Sequence, residues 1–372
     1  MKKVVFFVES MHCGGAERSL LSLLNNIDRK KYAIDLLVIQ KGGAFEKFIP
    51  ENINYKSLDL NLSLIGRLKF FLNTKISPKT HKAQLFWKSF NKEIQNFNEE
   101  YDIAIAWGQG FATYFTGTKI KAKTKYAWIN IDYDKAGYQF KYDEAIYNQF
   151  NKIVGVSEFV KESMQQYIDK NKLISIVNII DQTDVVERAE VVIDETFDDS
   201  IVHIVSVGRL AKQKSFDLSI NTAKFLKDKG IAFKWYIIGE GSERSYLEGL
   251  IRSNGLEDLF ILLGFRDNPY PYIKACDIYV QTSSFEGLGR TIIEASILNK
   301  PIVTTNFPTA YGLLDDGKTG LIVEMTPQDV SKAILKIIND TSFKLEMIRN
   351  LNEAENLNKQ KTLDQVESLF NK

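Results

Sequence analysis

The chain has 372 residues, too many for one core at about 100–200 residues per domain, so two domains are expected. Hydrophobic residues make up 44% and charged residues 26%, which excludes a disordered chain, a collagen and a disulfide scaffold. The formal net charge is +1, so bulk electrostatics gives no reason to expect nucleic acid.

The charge is unevenly placed. Residues 1–178 carry 26 Lys and Arg against 18 Asp and Glu, while residues 179–372 carry 22 against 29. A basic front half and an acidic back half point to different partners. Cys13 and Cys276 stand far apart, with no metal-type spacing to His12, His81 or His203, and read as free thiols of a reducing compartment.

The first strand runs from Lys3 to Val8, then a turn at Gly14-Gly15 and an amphipathic helix from Ala16 to about Asn25. The apolar run ends at Glu9, short of the ~7–15 residues of a signal-peptide core. The longest uncharged stretch, Ile103 to Thr118, is too short and polar to span a bilayer. A cytoplasmic location is expected.

Strands recur at Ile34–Ile39, Ile103–Ala106, Tyr126–Ile129 and Ile153–Val156, with helices among them. Residues 1–180 therefore read as a doubly wound α/β domain. Residues 181–200 hold eight acidic residues and no Gly or Pro, and read as a solvated connector. The pattern restarts over 201–355, with strands at Ile201–Val207, Phe233–Ile238, Phe260–Leu262, Ile278–Gln281 and Pro301–Thr304. Helices are predicted near 215–229, 242–253, 289–298, 327–339, 342–354 and 360–370. The segment 356–372 is expected to return to the first domain. Open sheets of this kind bind ligands beyond the carboxyl ends of their strands.

Two stretches at such ends carry chemistry. In Gly208-Arg209-Leu210-Ala211-Lys212-Gln213-Lys214, two cations sit on a strand-to-helix loop, where they can converge on a diphosphate. Solvated loop cations are the competing reading. In Glu286-Gly287-Leu288-Gly289-Arg290-Thr291-Ile292-Ile293-Glu294, two carboxylates stand eight apart around a Gly-x-Gly turn. Glycines let backbone N–H groups approach a ligand, and a helix N-terminus favours phosphate. Glu286 can reach a sugar hydroxyl, and Glu294, two turns into the helix, a ribose diol. An ordinary glutamate on a surface helix is the alternative for Glu294.

These pieces stand in order with Ile238-Gly239-Glu240-Gly241, Leu263-Gly264-Phe265, Lys300-Pro301-Ile302-Val303-Thr304-Thr305 and Gly317-Lys318-Thr319-Gly320. Together they resemble the donor-binding domain of glycosyltransferase family 4, and Gly14-Gly15-Ala16-Glu17-Arg18 resembles that family's front glycine loop. The resemblance implies the GT-B architecture, two doubly wound Rossmann-like domains facing across a cleft, and a retaining, metal-independent transferase. It implies a nucleotide diphosphate sugar as co-substrate, with Arg209 and Lys214 on the diphosphate and Glu286 on the sugar. Glu294 would meet the ribose, the backbone of Gly289, Arg290 and Thr291 the phosphates, Gly287 and Leu288 the donor, and Gly264, Phe265 and Arg266 the base. Gly14 and Gly15 would approach the diphosphate from the first domain.

One departure matters. Many relatives carry a His after a late strand of the first domain, where this chain has Asn130, which can bond a hydroxyl but carries no proton at neutral pH. Asp132-Tyr133-Asp134 also fits a short metal-binding triplet, but a hydroxyl contact from Asp132 is the preferred reading. His12 and Cys13 are neighbours that point to different sides of an extended chain, and read as loop filler. The Gly239-Glu240-Gly241 turn lacks the third glycine of a dinucleotide fingerprint, because position 244 is Arg.

Residues 60–92 contain no acidic residue, and seven Lys and Arg there alternate with Leu, Ile, Phe and Trp. Segment 62–92 fits an anionic membrane surface, or else two helices with aromatic residues packed inward and lysines in water. The acceptor expected is a glycan, carried on a lipid phosphate in assembly of a bacterial surface polysaccharide, with the enzyme peripheral on the inner membrane face. A nucleotide-sugar epimerase of the same fold and an inactive nucleotide-sugar-binding protein are the rivals.

Overall fold

Val4, Val5, Phe6 and Phe7 are all fully buried, so the strand they form is covered on both faces, as a parallel sheet between helices requires. In the computed structural model, residues 1–12, 14–58, 60–195, 197–198, 200–354 and 359–371 are described. Cys13 and residues 355–358 and 372 lie outside that set, and with them part of the 356–372 expectation.

The chain divides into two units, 1–179 with 359–372, and 180–358. The first holds β1 (Lys2–Phe7), β2 (Tyr32–Val38), β3 (Asn54–Ser57), β4 (Glu100–Trp107), β5 (Lys121–Ile129), β6 (Lys152–Gly155) and β7 (Leu173–Ser175). All pair in parallel, in the order β3-β2-β1-β4-β5-β6-β7. The helices are α1 (Gly15–Asn26), α2 (Leu64–Ile76), α3 (Lys82–Phe90), α4 (Phe111–Lys119), α5 (Glu144–Tyr147) and α6 (Glu158–Ser163).

The second unit holds β8 (Val202–Val207), β9 (Phe233–Ile238), β10 (Phe260–Gly264), β11 (Ile278–Gln281), β12 (Ile302–Thr305) and β13 (Leu321–Val323). Their order is β10-β9-β8-β11-β12-β13, again parallel. The helices are α7 (Gln182–Arg188), α8 (Phe216–Asp228), α9 (Arg244–Ser253), α10 (Tyr270–Ala275), α11 (Arg290–Ile297), α12 (Pro327–Asn339) and α13 (Thr341–Glu353). The winding reverses between β1 and β4, and again between β8 and β11, so each sheet has its own ligand-binding switch point. The last helix, α14 (Lys359–Phe370), packs on the first sheet, with Phe370 between Tyr32 and Tyr126 at ring distances of 5.4 and 6.3 Å.

The acidic segment is not a solvated connector. The Asp181 carboxylate caps α7 by accepting from Thr183 N at 3.1 Å, Val185 is buried, and Arg188 donates to the Asp267 carbonyl at 2.9 Å. Glu195 accepts from Tyr272 OH at 2.7 Å. Charge count concealed a helix that buries Val185 within the second unit and leaves Val186 exposed. Edge strands β3, β7 and β13 were not anticipated, because three or four residues give too little pattern. Cys276 is a free thiol whose burial pushes its pKa up to about 12. Among the described residues no helix is long and apolar enough to cross a membrane.

Candidate functional site

The loops that follow β8 and β11 flank the switch point of the second sheet, and hydrogen bonds stitch them together. Gln213 O accepts from Ser284 N at 2.8 Å and Ser284 Oγ at 3.0 Å, and Gln213 Nε2 donates to Phe285 O at 2.8 Å. Thr282 Oγ1 donates to the carbonyls of Lys214 and Ser215 at 3.0 and 3.1 Å. Ser215 sits in the left-handed region at φ 47°, a conformation costly for a non-glycine residue and held here by these contacts.

This stitching brings Lys214 to Glu286. Lys214 Nζ lies 2.6 Å from Glu286 Oε1, with the two side chains only 16% and 11% exposed. The same oxygen accepts from Ser283 Oγ at 2.6 Å and Gln281 Nε2 at 3.0 Å. Gln281 is itself oriented, because its Oε1 accepts from Thr291 Oγ1 at 2.6 Å and Tyr279 OH at 3.3 Å. The carboxylate is therefore fixed and charge-balanced, while the ammonium keeps donors for an anion. The Lys214 stem lies over Gly208, where a methyl group would be 2.9 Å from Lys214 Cε. Arg209, on the same loop, is exposed and has no carboxylate partner among the described residues.

Gln213, Gln281 and Ser283 escaped the sequence reading. The available signal was Gln281-Thr282-Ser283, a polar run closing an otherwise apolar strand.

Gly289, at φ 75°, opens α11, and a side chain there would strike Leu313 Cδ1 at 2.7 Å. The first N–H groups of α11 have no acceptor within their own helix. Because α11 starts at Arg290, Glu294 stands one turn into it, not two. Nor is it an ordinary surface glutamate: its Oε1 accepts from Arg290 Nε at 2.8 Å and Tyr270 OH at 2.9 Å, and the pair is 8% and 3% exposed. Gly239 and Gly241 serve packing. A methyl group on either would lie 1.9 Å from Gly208 O or 2.2 Å from Leu210 O. Gly264 O accepts from Gly239 N at 2.9 Å, next to Phe265. Arg266 contacts Tyr272 OH at 3.3 Å and Glu195 at 3.5 Å.

In the first unit, Gly14 and Gly15 start α1, and a methyl group on Gly14 would lie 2.4 Å from Glu17 Oε2. Asn130 follows β5. Its Oδ1 accepts from Asn178 Nδ2 at 3.1 Å, its N–H donates to Gln109 Oε1 at 3.2 Å, and its buried Nδ2 has no hydrogen-bond partner among the described residues. Asp132 is buried and closes a turn by accepting from Lys135 N at 3.1 Å. Asp134 instead accepts from Tyr167 OH at 2.8 Å and Gln166 Nε2 at 3.0 Å, so the two carboxylates serve separate local structures.

Residues 190–355 match the family model described as Glycosyl transferases group 1. The second unit is a group 1 glycosyltransferase domain. Over 337 residues the chain is 27% identical to the poly(ribitol-phosphate) alpha-N-acetylglucosaminyltransferase of Staphylococcus aureus, covering 87% of this chain and 64% of that protein. Over 335 residues it is 26% identical to a Campylobacter jejuni N-acetylgalactosamine-N,N'-diacetylbacillosaminyl-diphospho-undecaprenol 4-alpha-N-acetylgalactosaminyltransferase, covering 87% of both chains. Among solved structures, S. aureus TarM (with UDP) and Anabaena Alr3699/HepE (with UDP and glucose) each superpose with a TM-score of 0.73 over 100% of both chains. Their identities are 16% and 18%, so this likeness is one of fold, the GT-B class of paired doubly wound domains. The group 1 domain thus contains the stitched loops, the Lys214–Glu286 pair and the α11 N-terminus.

Proposed function

We propose that the chain is a retaining glycosyltransferase that moves a hexose-type sugar, with N-acetylhexosamines the first to try, from a uridine diphosphate donor to a glycan hydroxyl. The observation that carries the reading is the Lys214–Glu286 pair at the switch point of a group 1 domain. As the glycosidic bond breaks, negative charge develops on the diphosphate. Lys214, Arg209 and the N–H groups of Gly289, Arg290 and Thr291 are oriented donors for it, which is the largest kind of catalytic contribution. These cations supply the charge that a metal provides elsewhere, so we assign none.

Glu286 would hold a sugar hydroxyl. Its ion pair makes it a poor nucleophile, which supports front-face attack by the acceptor. Glu294 is proposed to meet the ribose, Gly287 and Leu288 the donor, and Gly264, Phe265 and Arg266 the base. From the first unit, Gly14, Gly15, Asn130 and Asp132 are the proposed substrate contacts, and the unpartnered Asn130 Nδ2 is a donor suited to a hydroxyl.

The acceptor is proposed to be a lipid-linked glycan or polyol phosphate at a membrane surface. Both relatives are named for acceptors of these kinds, and the first 178 residues are basic. The test is a panel of α-linked nucleotide sugars with polyprenyl-diphosphate glycan acceptors, followed by nucleotide release and NMR. An α-linked product, formed with acceptor-dependent release, is expected. Epimerised donor without release, or binding without turnover, would overturn the reading.

A further inference from the structure

Helix α2 is fixed by one face and bare on the other. Its N-terminus is capped by Ser63, whose N–H and hydroxyl donate to Glu93 at 3.0 and 2.9 Å. A methyl group on Gly66 would sit 2.4 Å from Phe90 Cε1, so α2 and α3 touch closely there. Phe70 packs on Phe86 at 5.7 Å, and Asn73 Nδ2 donates to Ser89 Oγ at 2.9 Å. These contacts determine which way the remaining side chains face.

Leu64, Ile65, Leu68, Phe71, Leu72 and Ile76 point away from α3 and are 47–82% exposed. At about 100° per residue they fill an arc of roughly 140° opposite the packed face. Arg67 and Lys69 stand at the two borders of that arc, and Lys75 holds its ammonium 4.5 Å from the Phe71 ring centroid. Among the described residues Arg67 and Lys75 have no carboxylate partner, while Lys69 lies within electrostatic reach of Glu93. Single exposed apolar residues are ordinary, but six large ones on one helical face mark a surface that something covers.

We propose that α2 is an in-plane membrane anchor, with its apolar arc seated in the acyl boundary of an anionic bilayer and its cations among the phosphates. The cationic border decides between occupants. A second copy of this chain would bring Arg67 and Lys75 of both copies against each other, whereas lipid phosphates neutralise them. At 13 residues the helix is too short to span a bilayer and suited to lying along it. The expected basic contact face is corrected accordingly: the outward face is mainly apolar, with Arg67 and Lys69 at its borders and Lys75 lying against Phe71 within it. The inference rests on the membrane-surface setting proposed above for its choice of partner, and not on the donor chemistry.

The test uses the full chain with vesicles of phosphatidylcholine, alone or with about one third phosphatidylglycerol. A Phe71→Trp variant should sediment with the anionic vesicles and shift its emission to the blue, because the added indole leaves water. The triple variant Leu68→Ser, Phe71→Ser, Ile76→Ser should keep the parent's melting temperature and bind at least about tenfold more weakly. Three results would each overturn the anchor: no binding by the parent, equal binding by the triple variant, or a parent self-association that the triple variant abolishes. Donor turnover measured on the same proteins reads the transferase separately. Lost vesicle binding with unchanged turnover supports the anchor alone, and vesicle binding without any turnover sinks only the transferase.

Discussion

Lys214 Nζ and Glu286 Oε1 are 2.6 Å apart, although 72 positions of chain separate the two residues. The contact exists because two loops on either side of the sheet's reversal share Gln213 and Thr282 as cross-links. An ammonium held this way is aimed before any substrate arrives. Lys214→Ala should therefore lower turnover by about 10²–10³ while the far-ultraviolet spectrum stays unchanged. Steady-state kinetics would check it, and activity within a factor of two of the parent would refute the assignment.

Gln281 orients Glu286 and is itself oriented by Thr291 and Tyr279. Gln281→Leu would leave two hydroxyls and a carboxylate short of partners, at about 1–3 kcal/mol for each buried group. Turnover should fall more than donor KM rises, since the misplaced carboxylate matters most where geometry is tightest. Gln281→Glu would put a second carboxylate beside Glu286, and its activity should recover as pH falls and one of them protonates.

Glu294→Gln retains an acceptor for Arg290 and Tyr270 but removes the balancing charge from a buried guanidinium. Breaking such a pair costs about 3–5 kcal/mol. For a unit of this size, that corresponds to a melting temperature lower by roughly 6–20 °C, readable by calorimetry. If a ribose contact is also lost, binding of a nucleoside diphosphate should weaken more than binding of bare diphosphate.

In the first unit, Lys3 and Lys56 depress the Glu99 carboxyl from its usual 4.5 to about 2. A carboxylate depressed by folding stabilises the native state above its unfolded value, and that share is lost as pH falls toward 2. The difference in stability between the parent and Glu99→Gln should be constant above about pH 5 and shrink between 4.5 and 2. A difference that grows on acidification would contradict the pairing.

The two doubly wound sheets were legible because their central strands are short apolar runs, such as Val4–Phe7 and Ile204–Val205, bounded by glycine turns. Arg209, Lys214 and Glu286 were legible because polar residues at strand ends stand out by type and position. Their partners were not, since nothing local in Gln213 or Ser283 reveals a contact made by loop closure. Residues 181–200 misled for the opposite reason: eight acidic residues outweighed Val185, whose burial depends on α10 and α11. In α2, composition drew attention to the segment but could not show which face the contact between Gly66 and Phe90 would hide.

Phe370 fills a slot made by Phe6, Tyr32 and Tyr126, while Tyr126 OH donates to Leu369 O at 2.6 Å and Lys2 Nζ to Phe370 O at 2.6 Å. The first sheet is thus finished by residues made only after the second unit. During synthesis it must wait, with an aromatic slot open, while the whole second unit is made. Dissection at residue 179 would leave that slot permanently vacant, so a fragment ending there should be sticky and poorly soluble. A permuted chain that begins with α14 and runs on into β1 would close the slot early and release the first unit from its dependence on the second.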